Sequence, residues 1–154
     1  MRVQRLIRQI GLLWLVLACC LPVQAEQHLD GIVQAAAQQT GVPVSVIRAV
    51  IQQESAHNPG AVSHKGAQGL MQIIPRFHQD KVPPAAGEQP FLDPLTNVRI
   101  GARILQEAIQ RQGSLIDGLQ YYAGAADDED KTYASKIMAE RLRLEPTARL
   151  CGLT

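Results

Sequence analysis

Cysteine is scarce in this chain, and its placement excludes more chemistry than its number does. Of three cysteines, Cys19 and Cys20 fall within the first 25 residues and only Cys151 stands beyond them. A chain cut after Ala25 keeps one cysteine, which cannot close an internal disulfide in an oxidising compartment. Cys151 reads as a small tail residue. The histidines His28, His57, His64 and His78 include no pair at the i, i+4 spacing of a helical metal site and have no cysteine pair beside them, so no metal site is expected. Charge of one sign is lacking as well. Three of the 15 Lys and Arg lie before Ala25, leaving 12 against 14 Asp and Glu. Such a near-neutral protein has no basic stripe with which to bind nucleic acid. No apolar run is long enough to span a bilayer: the run from Ile10 to Leu21 falls well short of the ~20 residues required.

What is present begins with a leader. Arg2, Arg5 and Arg8 precede that apolar run, and Val23-Gln24-Ala25 puts small or medium side chains where a signal peptidase reads. Residues 1–25 are therefore expected to be a secretory signal peptide, cleaved after Ala25, which would place residues 26–154 in the periplasm or outside the cell. Val16-Leu17-Ala18-Cys19 offers a second exit as a lipoprotein box with Cys19 lipidated, although Leu17 fits that box poorly. With 154 residues, 46% hydrophobic and 19% charged, the whole chain has room for one domain and the make-up of an ordinary globular protein.

Periodicity makes that domain helical. Residues His28 to Gln39 carry Leu29, Ile32, Val33, Ala36 and Ala37 on one face, with Gly41 as a stop. After Pro43, Val44 to Glu54 places Ile47, Val50 and Ile51 on one stripe. The turn residues between His57 and Gln68 predict a loop. Gly69 to Ile74 reads as a brief apolar helix stopped by Pro75, and Lys81 to Pro90 as a surface excursion. Asp93-Pro94 opens a helix with Val98, Ala102, Leu105 and Ile109 on one face and Gly113 at its end. Ser114 and Asp117 resemble a capping box for a helix through Tyr121. Asp127 to Asp130 read as a solvated acidic loop, and Tyr133 to about Leu144 as the last helix. No stretch alternates cleanly over strand length, so the domain is expected to be all or nearly all α.

Glu54 is the residue that asks for a chemical account. It follows Ile47 by seven, Val50 by four and Ile51 by three, so on a helix it shares their apolar stripe. Burial would raise its pKa, as a general acid working near neutral pH requires. A frayed last turn with Glu54 facing water satisfies the same spacing. Met71, taken singly, reads as a core residue, and Tyr121 and Tyr133 as ordinary half-buried aromatics.

The neighbours of Glu54 form a set. Gln53-Glu54-Ser55, Asn58-Pro59, Ala61-Val62-Ser63, Gly66-Ala67, Gly69-Leu70-Met71-Gln72 and Pro75 resemble the opening motifs of the lytic transglycosylases related to goose-type lysozyme. Asp93-Pro94, Asn97, Gly101-Ala102 and Leu105 look like that family's next helix, and Tyr121-Tyr122-Ala123-Gly124 resembles its Ala-Tyr-Asn-Ala-Gly signature. The resemblance runs over roughly residues 40 to 142, with several motifs in the right order. Two positions depart from it: Tyr122 stands where asparagine is usual, and Gln120 where alanine commonly precedes the tyrosine.

The resemblance implies a lysozyme-like helical domain with a substrate cleft. It implies Glu54 as the single catalytic acid and base, with Ser55 shaping the end of its helix. Ser63, Met71 and Gln72 would line the sugar groove, with Gly69 letting the backbone approach. Tyr121 would hydrogen bond to Glu54, and Tyr133 would match a further tyrosine of the cleft. The implied reaction cleaves peptidoglycan glycan strands between N-acetylmuramic acid and N-acetylglucosamine, closing a 1,6-anhydro ring without water, metal or cofactor. A hydrolytic muramidase and a glycan-binding protein that cleaves poorly are the competing readings. The compact build also resembles members that open the wall for secretion, conjugation or pilus assemblies, an analogy at the level of the fold.

Overall fold

In the computed structural model, which describes residues 27–145, five α-helices carry the chain. The expectations for the leader, for Cys19 and for Cys151 lie outside these residues. The described residues from Ile32 onward form one compact unit, which holds the core and the cleft. The helices are α1 (27–40), α2 (Val44–Ser55), α3 (Pro94–Gln112), α4 (Leu115–Tyr122) and α5 (Thr132–Leu144). No named strand occurs among the described residues. Two isolated antiparallel bridges, Val62 with Gln68 and Gln68 with Ile73, are the extended pairings there.

The boundaries follow from local chemistry. The α3 helix opens on Asp93, whose carboxylate accepts the Thr96 amide at 2.8 Å, with Pro94 at the first helical position, where a missing N–H costs nothing. It closes on Gly113 at φ 77°. Ser114 caps α4 by accepting the Asp117 amide, while its hydroxyl donates to the Asp117 carboxylate at 2.6 Å. The α5 helix is different: the residue before it, Lys131, is left-handed and supplies no side-chain cap.

Each helix turns its apolar stripe inward. Val46, Ile47, Ala49, Val50 and Ile51 of α2 are buried, as are Val98, Ala102, Leu105 and Ala108 of α3 and Ala134 and Ile137 of α5. The α2 helix packs on α5, α3 packs on α4, and α4 touches α5.

Residues Gly69 to Ile74 do not form the expected helix. Gln68 and Ile73 exchange backbone hydrogen bonds at 2.8 and 3.0 Å, closing a tight reversal in which Gly69 (φ 75°) and Gln72 (φ 48°) are left-handed. A helix tolerates neither conformation. The apolar spacing that suggests one arises because Leu70, Met71 and Ile73 all insert into the core from this loop. Asn97, itself fully buried, holds the loop in place. Its Oδ1 accepts the Met71 amide at 2.8 Å, and its Nδ2 donates to the carbonyls of Gln68 and Phe91 at 2.9 and 2.6 Å. Pro75 then begins a short 3-10 turn, Pro75–Phe77, and a second comes at Gln79–Lys81.

Candidate active site

The irregular segment and the helices enclose an open cleft of about 570 Å³. Glu54, Ser63, Gln72, Phe77, Tyr122 and Tyr133 are among its lining residues. Glu54 is the one carboxylate among the described residues that line it.

Glu54 stands in the last turn of α2 and is half-buried rather than frayed into water. The helix stops abruptly there because Ala56 (φ 48°) and His57 (φ 64°) are both left-handed, and Ser55 Oγ donates back to the Ile51 carbonyl at 3.2 Å. Among the described residues, the non-glycine positions of positive φ are Ala56, His57, Gln72 and Lys131. All of them lie next to or within the cleft elements, each costing about 1–2 kcal/mol. Such strain persists where surrounding structure enforces it, commonly at functional sites.

Removal from water raises the Glu54 pKa above the ordinary carboxylate value, and the hydrogen bond from Tyr133 partly offsets that rise. The Tyr133 hydroxyl donates to Glu54 Oε1 at 2.5 Å, joining α5 to α2 across the cleft floor. Tyr122 sits beside this pair, its hydroxyl donating to the Met71 carbonyl at 2.7 Å. Burial and the nearby Glu54 charge push both phenols up, so both stay protonated donors throughout the physiological range.

Three expected roles need correction. Tyr121 does not reach Glu54: it is 41% exposed, and its hydroxyl accepts from Arg111 Nη1 at 2.8 Å. Adjacent residues on a helix point about 100° apart, and the register of α4 turns Tyr122 inward and Tyr121 to the cleft rim. Met71 does not line the groove: its side chain is fully buried against Gly101, where a Cβ would lie 2.6 Å from the Met71 sulfur. Gly69 admits a close approach, but of the protein itself, since a Cβ there would lie 2.3 Å from both Asn97 Nδ2 and the Phe91 carbonyl. Ser63 and Gln72 do line the cleft. Ser63 Oγ accepts the Ala67 amide at 3.0 Å, and Gln72 Nε2 donates to the carbonyls of Ala61 and Gly69.

Motif reading passes over Phe77, His78 and Lys65, which line the same cleft. Phe77 is 61% exposed, an unusual setting for a phenylalanine and the kind of signal a sequence does not carry. The acidic loop is also less solvated than expected. Asp128 is half-buried, and its Oδ2 accepts the Thr132 amide at 2.9 Å, supplying the cap that Lys131 does not.

The half-buried glutamate in the open cleft is a single-carboxylate site, and the small helical domain that carries it has a lysozyme-like fold, as its superposition on a solved relative shows. Residues 31–140 match the family model described as the transglycosylase SLT domain, and the chain belongs to that family. It is 31% identical over 109 residues to the transglycosylase of Enterobacteria phage PRD1, covering 68% of this chain and 39% of that protein. It is 39% identical over 90 residues to the soluble lytic murein transglycosylase of Escherichia coli (strain K12), covering 54% and 14%. The solved 70 kDa soluble lytic transglycosylase of Escherichia coli superposes with a TM-score of 0.65 at 25% identity, over 73% of this chain and 23% of that one. The chain thus spans well under half the length of these relatives.

Proposed function

We propose that this protein is a peptidoglycan lytic transglycosylase in which Glu54 serves in turn as acid and base. The observation that carries the reading is the cleft's single carboxylate, held by the Tyr133 hydroxyl and partly desolvated, which raises its pKa above the ordinary carboxylate value in the direction a general acid needs. Glycosidases of the two-carboxylate kind place a second acid ~5 to 9.5 Å from the first, and Glu54 has no such partner among the described cleft residues.

In the proposed reaction Glu54 donates its proton to the glycosidic oxygen between N-acetylmuramic acid and N-acetylglucosamine. The bond from that oxygen to C1 breaks, and the muramoyl N-acetyl carbonyl supports C1 as it departs. The C6 hydroxyl oxygen of the same sugar then bonds to C1, and its proton passes to the Glu54 carboxylate. The glutamate ends as it began, and no water is consumed. Tyr133 keeps one carboxylate oxygen engaged, which leaves the other to face the sugar. Ser63 and Gln72 offer polar atoms along the groove. Residues 1–25 would export the enzyme to the wall, and the glycan strand is its proposed partner.

The test is digestion of purified peptidoglycan by residues 26–154 and by the Glu54→Gln variant, with released muropeptides read by liquid chromatography and mass spectrometry. Products lighter by one water than reducing muropeptides, absent with the variant, are the expected outcome. Reducing ends would make the protein a hydrolase. No release with retained binding to sacculi would make it a glycan-binding protein.

A further inference from the structure

Gln120 occupies a position where the resembling motif commonly has alanine, and its side chain is fully buried in α4. A buried amide is costly unless its hydrogen bonds are made, and here they are made to a single neighbourhood. Nε2 donates to the Ala125 carbonyl at 3.1 Å and to Asp128 Oδ2 at 3.2 Å, while Oε1 accepts the Ala134 amide at 2.8 Å. Asp128 Oδ2 also accepts the Thr132 amide. The amides on either side of Tyr133 are therefore held, one by Gln120 and the other by the Asp128 that Gln120 contacts. The first turn of α5 has no cap of its own, and an alanine at 120 would offer neither donor nor acceptor.

We propose that Gln120 is a positioning residue: together with Asp128 it clasps the first turn of α5 to α4 and so sets where the Tyr133 hydroxyl meets Glu54. The link is geometric. The Tyr133–Glu54 bond is the polar contact between α5 and the carboxylate, and a hydrogen bond weakens steeply once its distance and angle leave a narrow range. A small slide of the first turn of α5 is enough to lose it. This role rests on the reading of Glu54 as the acid, but the link itself is testable without substrate.

The experiment follows the Glu54 carboxyl by carbon-13 NMR titration, assigned by its loss in Glu54→Gln, alongside glycan-strand cleavage. The other titratable groups facing the cleft are Lys65, His78, Tyr121 and Tyr122, and none is altered. Because Tyr133 lowers the Glu54 pKa, Gln120→Ala is expected to move the titration upward, as Tyr133→Phe should, and to cut the cleavage rate roughly threefold to tenfold. Asp128→Ala, which opens no core cavity, should move it the same way by less. In a Tyr133→Phe background both shifts should vanish. An unmoved Glu54 titration in a folded Asp128→Ala or Gln120→Ala protein, or an equal shift with and without the Tyr133 hydroxyl, would overturn the proposal. If no strand cleavage occurs in the unaltered protein, the failure belongs to the proposed activity, and the titration still decides the clasp.

Discussion

The two walls of the cleft are held by different physics. One is helix on helix, with Glu54 and Tyr133 brought together by the packing of α2 on α5, whose Ile47, Val50, Ile51, Ala134 and Ile137 are all buried. The other, residues 61–74, has no regular element and is tied to α3 by two hydrogen bonds of Asn97, to Met71 and Gln68, while a third holds Phe91. Apolar packing loses strength gradually because neighbours relax into a space. A hydrogen-bond hub cannot relax in that way, since a group it abandons that has no second partner is left buried and unpaired.

The sharpest way to break this comparison is Asn97→Ala. It strands the Met71 amide and the Phe91 carbonyl, at roughly 1–3 kcal/mol each, and leaves the Gln68 carbonyl with the Ile73 amide alone. A loss of about 3 kcal/mol or more is expected in urea unfolding, against about 0.5–1.5 kcal/mol for Ile47→Val in the other wall. An Asn97→Ala loss below that of Ile47→Val would show that the irregular wall is held by its apolar insertions instead.

A smaller effect is expected from pH, and it separates the walls by function. Burial raises the folded-state pKa of Glu54, so between the unfolded and folded values the folded protein binds more protons, and stability falls as pH rises through that window. Glu54→Gln cannot ionise. Its stability should match the unaltered protein in acid, where both carry a neutral side chain, and exceed it progressively as pH rises past the ordinary carboxylate value. Thermal unfolding across acid to neutral pH checks this, and parallel curves would mean that Glu54 is not held in a costly setting. Cleavage should fall on the alkaline side as Glu54 loses its proton. Tyr133→Phe removes the bond that lowers the pKa, so that limb should move to higher pH while the rate at its optimum drops.

These contrasts also mark what is legible in the sequence. The α3 helix can be read to within a residue because Asp93, Pro94 and Gly113 act locally, and Glu54 stands out because its spacing puts it on the stripe of Ile47 and Ile51. The irregular wall misleads because a pattern of buried apolar residues is shared by a helix and by a loop that inserts Leu70, Met71 and Ile73 one after another. What forbids the helix is the left-handed backbone at Gly69 and Gln72. Asn97 enforces it through Met71 and Gln68, from 26 and 29 residues further along the chain. Tyr121 and Tyr122 are hard to tell apart for a related reason: on a short helix, which of two adjacent tyrosines turns inward is settled by packing on α3 and α5. Gln120 and Asp128 carry no local signal, since their value lies in the far ends of their hydrogen bonds.

The smallest expected effect concerns the rim, where neither kind of packing operates. Phe77 is 61% exposed, with the Arg76 guanidinium 4.6 Å from its ring centroid, and it borders both the main cleft and a neighbouring depression of about 410 Å³ that it shares with Tyr121. A ring in that position adds little to the fold, so Phe77→Ala should change unfolding stability by no more than about 0.5 kcal/mol. Its apolar face is available to a sugar ring, and losing a stacked aromatic contact worth about 0.5–1.5 kcal/mol would weaken glycan binding roughly twofold to tenfold while leaving the maximal rate unchanged. Titration of short glycan strands into the Glu54→Gln protein, with and without Phe77→Ala, isolates binding from cleavage. Equal affinities would leave the exposed ring without a role in the groove, and a large loss of stability would make it part of the wall that Asn97 supports.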